Sequence, residues 1–282
     1  MKVAPMAHTP QPAEVIDGRY ALSGQPAKER YGRAFRARDR KADREVHVYV
    51  LDAENGALTG SRLSAFQSSH PAFPRLHHVG GPFHGRPYLV FEPPAGAPPR
   101  SDLHRILAPE VIASVIDLLL GAVGFLHARD LAVGPLRTSR VFLSERGGRL
   151  AVQLPEVPFE LLRPLPQRLL RDDEHPPYTA PEVLASESDL SVASDLFAVG
   201  AVAFELLSGA TPFSENHADG ARSRGREGSL PRLPEKVPRG LEELVRWLLS
   251  SDPDVRPLSA WDAHEVLHDA VSSLPSVDPY EA

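Results

Sequence analysis

Ser194–Phe213 reads SDLFAVGAVAFELLSGATPF. From Leu196 to Leu207 the run is apolar apart from Glu205, and Gly209 follows where a helix closes on a left-handed residue. A membrane span needs about 20 predominantly apolar residues. This run is shorter and interrupted by an acid, so it predicts a helix over 194–208 buried inside a soluble domain.

Working outward, the chain divides by character. Upstream, Val111–His127 (VIASVIDLLLGAVGFLH) is apolar on most faces and reads as a central buried helix. A loop follows it, Leu126–Leu143, LHARDLAVGPLRTSRVFL. VFLSERGGRLAVQL (141–154) then predicts a strand pair turning at Gly147-Gly148. An irregular Pro-rich stretch occupies 155–178. Downstream, 241–250 and 260–274 are amphipathic helices. The first third is strand-like instead. Arg33–Ala37 is a short half-buried strand, DRKADRE a turn, and VHVYVL (46–51) carries β-branched residues at alternate positions. Residues 60–68 suit a short helix ended by His70-Pro71. RPYLVFE (86–92) is another strand, and PPAGAPPRSD a Pro/Gly-rich link.

The expectation is an α+β chain with a small β-rich N-terminal lobe and a larger α-helical C-terminal lobe. Its boundaries are a flexible tail at 1–17, the small lobe at 18–93, a hinge at 94–100, the large lobe at 101–272 and a C-terminal tail at 273–282.

Composition narrows the function. The net charge of −6 gives no pull toward nucleic acid or an acidic membrane, so neither is expected as a partner. With no cysteine, disulfides, thiolate metal sites and a cysteine nucleophile are excluded. The N-terminus lacks an apolar signal-peptide core, and the expected location is the cytoplasm. Lysine occurs only at 2, 28, 41 and 236, an arginine bias that points to a GC-rich bacterial source.

Three segments resemble the eukaryotic-type protein kinase family: YTAPEVL (178–184), Ser194–Phe213, and LLSSDPDVRP (248–257). They stand in the family's order at plausible spacing, and the resemblance covers 20–268. It implies that Glu182 pairs with Arg256 and that Asp195 accepts hydrogen bonds from the backbone of the 126–143 loop. Both are structural roles, silent on activity.

Position by position, the chemistry departs from that family. Kinase chemistry rests on positioning and charge neutralisation around a triphosphate. Tyr49 stands at the strand lysine; a phenol is neutral near pH 7 and Lys41 lies in the preceding turn. The acid that would pair with that lysine is missing from 60–68, and Glu54 comes too early. Within the loop, Val133–Arg140 occupies the His-Arg-Asp-Leu-Lys-Pro-x-Asn register. Pro135 replaces the carboxylate that meets the substrate hydroxyl, Arg140 the metal-binding Asn, and Arg137 retains positive charge at the Lys position. Leu154 falls where the metal-binding Asp belongs, with Glu156 two residues late. The family's three loop glycines fall on Ala27, Glu29 and Gly32. Phe91 guards the back pocket, Glu92 offers its carbonyl, and Pro94 lacks the N–H that adenine takes. The 155–180 segment has no hydroxyl before Tyr178 and Thr179.

Other constellations carry little. His127 and His175 lack metal-ligand spacing, and His70, His77 and His78 read as structural or solvated. ARSRGRE (221–227) reads as a solvated loop. The resemblance with these departures predicts a catalytically degenerate kinase homologue, a pseudokinase. It would be no enzyme and hold no metal, with ATP and Mg²⁺ binding absent or weak. It would regulate or scaffold a protein partner such as an active kinase, a response regulator-like protein or another signalling protein. The alternative is a kinase-like enzyme that binds ATP through relocated residues, with Arg137 and Arg140 cradling an anion.

Overall fold

The computed structural model describes residues 14–29, 32–52, 70–97, 105, 107–134, 136–155, 176–186, 190–213 and 230–272. They fall into two compact units, one within 1–56 and 75–93, the other within 57–74 and 94–282.

The first unit is an antiparallel sheet of six strands: β1 (Val15–Ile16), β2 (Tyr20–Glu29), β3 (Gly32–Asp39), β4 (Arg44–Leu51), β5 (Leu76–Phe83) and β6 (Arg86–Phe91), in the order β1-β2-β3-β4-β6-β5. The two-residue period of β4 sends Val46, Val48 and Val50 to one face, where they pack with Ile16, Tyr20, Leu22, Ala37, Tyr88 and Val90. His47 and Tyr49 take the other face.

A fully buried carboxylate closes the β3–β4 turn. Asp39 accepts from Arg19 Nε and Nη2 at 2.7 Å each, and from the Lys41 and Ala42 amides at 3.1 and 3.2 Å. The Arg19 guanidinium holds the Asp39 carboxyl well below the usual carboxylate range, outweighing the cost of its burial.

The second unit is mainly helical: α1 (Pro109–His127), the hairpin β7 (Phe142–Arg146) and β8 (Arg149–Gln153), α2 (Pro181–Ser186), α3 (Val192–Ser208), α4 (Arg239–Leu248) and α5 (Ala260–Ser272). α3 starts with a capping box in which Ser191 and Ser194 satisfy each other's backbone N–H, and it ends on Gly209 at φ 79°. Gly200 lets α4 approach α3 closely, since a Cβ there would lie 2.8 Å from that of Leu248. α1 is long and apolar enough to cross a membrane by composition alone. Here it packs against α3, α5 and β8, with Val115, Ile116 and Leu119 fully buried.

The structure departs from the sequence reading at several places. Val15–Ile16, assigned to a loose tail, pair with β2, and Ile16 is fully buried. β5 was not anticipated because LHHVGGPF has two glycines, a proline and no alternation, and its register shifts twice against β6. β3 runs longer than Arg33–Ala37 because β2 and β4 pair with it along its length. The 60–68 helix, Glu54, Pro135, Glu156, His175, ARSRGRE and the 273–282 tail lie outside the described residues.

Asp39→Asn weakens the bidentate bond to the partly exposed Arg19 and is expected to cost about 1–3 kcal/mol in urea unfolding. Because the folded-state pKa is depressed, this stabilisation is present above the ordinary carboxylate pKa. It is lost as pH falls below about 4; a stability profile down to pH 2 that the substitution leaves unchanged would contradict it.

Candidate functional site

In the first unit, the β2–β3 hairpin pairs Ala27 with Ala34 and Glu29 with Gly32. Gly32 sits at φ 151°, and a Cβ on it would fall 2.0 Å from the Val50 carbonyl oxygen, so this position requires glycine. Tyr49 lies in β4 opposite Ala34 and Leu89. Its half-buried ring packs edge-to-face on buried Phe91, with centroids 5.8 Å apart. Two aromatic rings therefore occupy the ground where the resemblance expects a lysine and its back-pocket neighbour.

The strand that leaves this unit keeps few donors. Glu92 N–H donates to the Arg75 carbonyl at 2.9 Å, and Pro93 and Pro94 have no N–H. In the second unit, Ala95 N–H donates to Gln153 Oε1 at 2.6 Å and Ala97 N–H to the Leu143 carbonyl at 3.2 Å. An adenine at this edge would rely on a carbonyl such as that of Glu92, which can accept from its amine.

Beneath the 126–143 loop lies Asp195, fully buried in the first turn of α3. It accepts from the Val133 amide at 2.6 Å and the Gly134 amide at 2.9 Å, and His127 Nε2 is 2.8 Å from Oδ2. Burial pushes the Asp195 carboxyl up, and the His127 hydrogen bond opposes this. Asp130 takes φ 54° in the turn after α1, so the chain reverses there and delivers Val133 to Asp195.

A second tie holds the loop further on. Thr138, in the short 3₁₀ turn Thr138–Arg140, donates to Glu205 of α3, and the Tyr178 hydroxyl donates to the same oxygen. Burial, then the Glu205 contact, pushes the Tyr178 phenol above its ordinary range. Arg137 and Arg140 are half-buried on either side of this turn.

Arg256 and Glu182 meet in a bidentate pair, Nη1–Oε1 2.7 Å and Nη2–Oε2 2.9 Å. The Arg256 side chain is fully buried and also donates to the Ser250 and Ala193 carbonyls. Its guanidinium lies 5.0 Å over the Phe197 ring. Every face of this cation is occupied, which makes its burial tolerable.

Residues 84–271, more than half of the chain, match the protein kinase domain model. The chain belongs to the protein kinase domain family. Similar proteins include CBL-interacting protein kinase 5 of Oryza sativa subsp. japonica, 22% identical over 86% of this chain and 54% of that protein. Serine/threonine-protein kinase PknL of Mycobacterium bovis is 25% identical over 86% and 63%. CBL-interacting serine/threonine-protein kinase 12 of Arabidopsis thaliana is 25% identical over 87% and 51%. The kinase domain thus spans roughly half to two thirds of the length of these relatives.

These relatives correct two expectations. The sequence reading expects no enzyme, with ATP and Mg²⁺ binding absent or weak; the kinase-domain match and relatives named as serine/threonine kinases point instead to a kinase, a chemistry that uses both. The resemblance assigns the metal to two described positions, Arg140 and Leu154. Arg140 is a cation, and Leu154 is an apolar side chain, 1% exposed, whose N–H donates to the Ala72 carbonyl. Magnesium wants hard oxygen ligands, and these two side chains do not fit it. Among the described residues, no group of three His, Cys, Asp or Glu is placed to hold a metal ion.

Sequence reasoning missed His127 as the partner of Asp195, Gln153 as the acceptor for Ala95, and the Thr138–Glu205–Tyr178 cluster. Glu205 carried a usable signal: a lone acid within an apolar helix needs a buried donor.

Asp195→Ala leaves the Val133 and Gly134 amides without an acceptor. Their hydrogen exchange is expected to quicken at least about tenfold, with about 1–3 kcal/mol lost per stranded group; unchanged protection would remove the brace assigned to Asp195. Glu182→Ala is expected to cost about 3–5 kcal/mol by stranding buried Arg256, as read from the denaturant midpoint.

Proposed function

We propose that this chain is a protein serine/threonine kinase-type signalling domain that handles the nucleotide through an unconventional residue set and works with a protein partner. The observation that carries this reading is the braced loop. Asp195 holds its backbone at Val133 and Gly134, and Glu205 holds it again at Thr138. Phosphoryl transfer depends mainly on positioning and on neutralising charge in a loose transition state. A loop fixed at both ends presents Arg137 and Arg140 at defined places, and two guanidinium groups offer fixed positive charge to phosphate oxygens. The names of the CBL-interacting relatives support a protein partner in signalling.

The test is a Mg-ATP titration of the full chain by calorimetry, with labelled phosphate transfer to a mixed Ser/Thr peptide substrate. Binding near about 1 mM is expected, together with transfer that falls at least about tenfold in Arg137→Ala. Neither binding nor transfer at about 10 mM ATP, or transfer indifferent to both Arg137→Ala and Arg140→Ala, would overturn the reading.

A further inference from the structure

The hairpin joining β7 to β8 is Arg146-Gly147-Gly148-Arg149, and its two arginines are direct cross-strand partners. Like charges placed opposite each other weaken a sheet. The turn itself does not need them, because Gly147 and Gly148 make it at φ 59° and 73°. Both arginines are exposed, and neither has an ion pair or hydrogen bond among the described residues. The register sets two planar donors on opposite strands with no acidic side chain paired to either among the described residues.

Arg149 also lines a cavity of about 440 Å³ that lies wholly within the second unit, between α1, β8 and α5. Leu118, Leu150, Leu267 and Val271 supply apolar wall. Small-molecule sites have this size and this mix of apolar wall with a few polar groups. The acid in the lining, Asp117, is already engaged by His264, with Oδ1 2.6 Å from Nδ1. Trp261, 66% exposed, stacks on that same His264 with ring centroids 5.5 Å apart. Arg149 and His268 are therefore the polar side chains of the lining left without a partner among the described residues, and Arg146 stands across the hairpin from Arg149.

We propose that this cavity binds a small amphipathic carboxylate. Its apolar body would lie among Leu118, Leu150, Leu267 and Val271, and its carboxylate would be taken up by Arg149 with Arg146 beside it. A carboxylate matches the guanidinium fork and relieves the repulsion between the two arginines. The site stands on its own residues and does not depend on the kinase reading.

The test uses the full chain and three probes: decanoate, decyl phosphate and decylamine. Binding is followed by calorimetry and by the emission of Trp261, whose stacking partner lines the cavity. Decanoate is expected to bind below about 1 mM, and decylamine at least about tenfold more weakly. Arg146→Glu with Arg149→Glu, on an exposed turn, should weaken decanoate at least about tenfold. Ser114→Tyr, at an exposed α1 position on the lining, should block it, and Trp261→Phe should remove the emission change while calorimetric binding persists. Thermal unfolding checks that each variant is folded. Absence of decanoate binding, equal binding of decylamine, or decanoate binding unchanged in both folded variants would overturn the proposal. Decyl phosphate binding at least about tenfold tighter than decanoate would overturn the carboxylate class.

Discussion

A carboxylate without solvent contact stands in the first turn of α3 and takes hydrogen bonds from His127, Val133 and Gly134. Removing Asp195 from water is costly unless donors replace the water. They come from the end of α1 and from the loop that follows it, so the same bonds that satisfy the carboxylate set the course of the chain. The capping box on Ser191 and Ser194 orients the first turn of α3, the turn at Asp130 reverses the chain, and the Thr138–Glu205 bond fastens the loop again nearer the C-terminal end of α3. The second unit is arranged around this helix.

That dependence separates framework from chemistry. The Glu182–Arg256 pair and the two acids of α3 serve the helical framework, and their partners are backbone groups or buried side chains. The positions that would meet a triphosphate follow another logic. Tyr49 packs on Phe91, Leu154 turns inward, and the N–H groups flanking the two prolines are engaged inside the protein. The loop carries Arg137 and Arg140 on a backbone tied to Asp195 and Glu205.

Much of this fold was legible as pattern. Buried helices announce themselves by long apolar runs broken by a single acid, and the valines of β4 by their period of two. The hairpin glycines and Gly209 mark turns through backbone conformations that other residues avoid. β5 was not legible, because its glycines, proline and histidines form a strand only when β6 supplies the ladder. The strand character of Val15–Ile16 depends in the same way on β2. At the site, the departures at Tyr49, Arg140, Leu154 and Pro94 could be read by register alone. The roles of His127, Gln153 and Thr138 could not, since each depends on a partner 58 to 68 residues away.

By itself the sequence determined the family resemblance, the passage from a strand-rich first third to buried helices, and which side chains stand at each position of the loop, because these follow from spacing and residue type. Only the tertiary structure decided what those side chains touch. It placed Tyr49 against Phe91, closed the Ala95 and Ala97 amides onto Gln153 and Leu143, bound Thr138 and Tyr178 to one oxygen of Glu205, and set Arg149 beside both Arg146 and a cavity walled by α1 and α5. The reason is physical. Local pattern reports which groups must leave water, whereas the partner that makes their burial affordable is chosen by chain segments that meet only when the protein is folded.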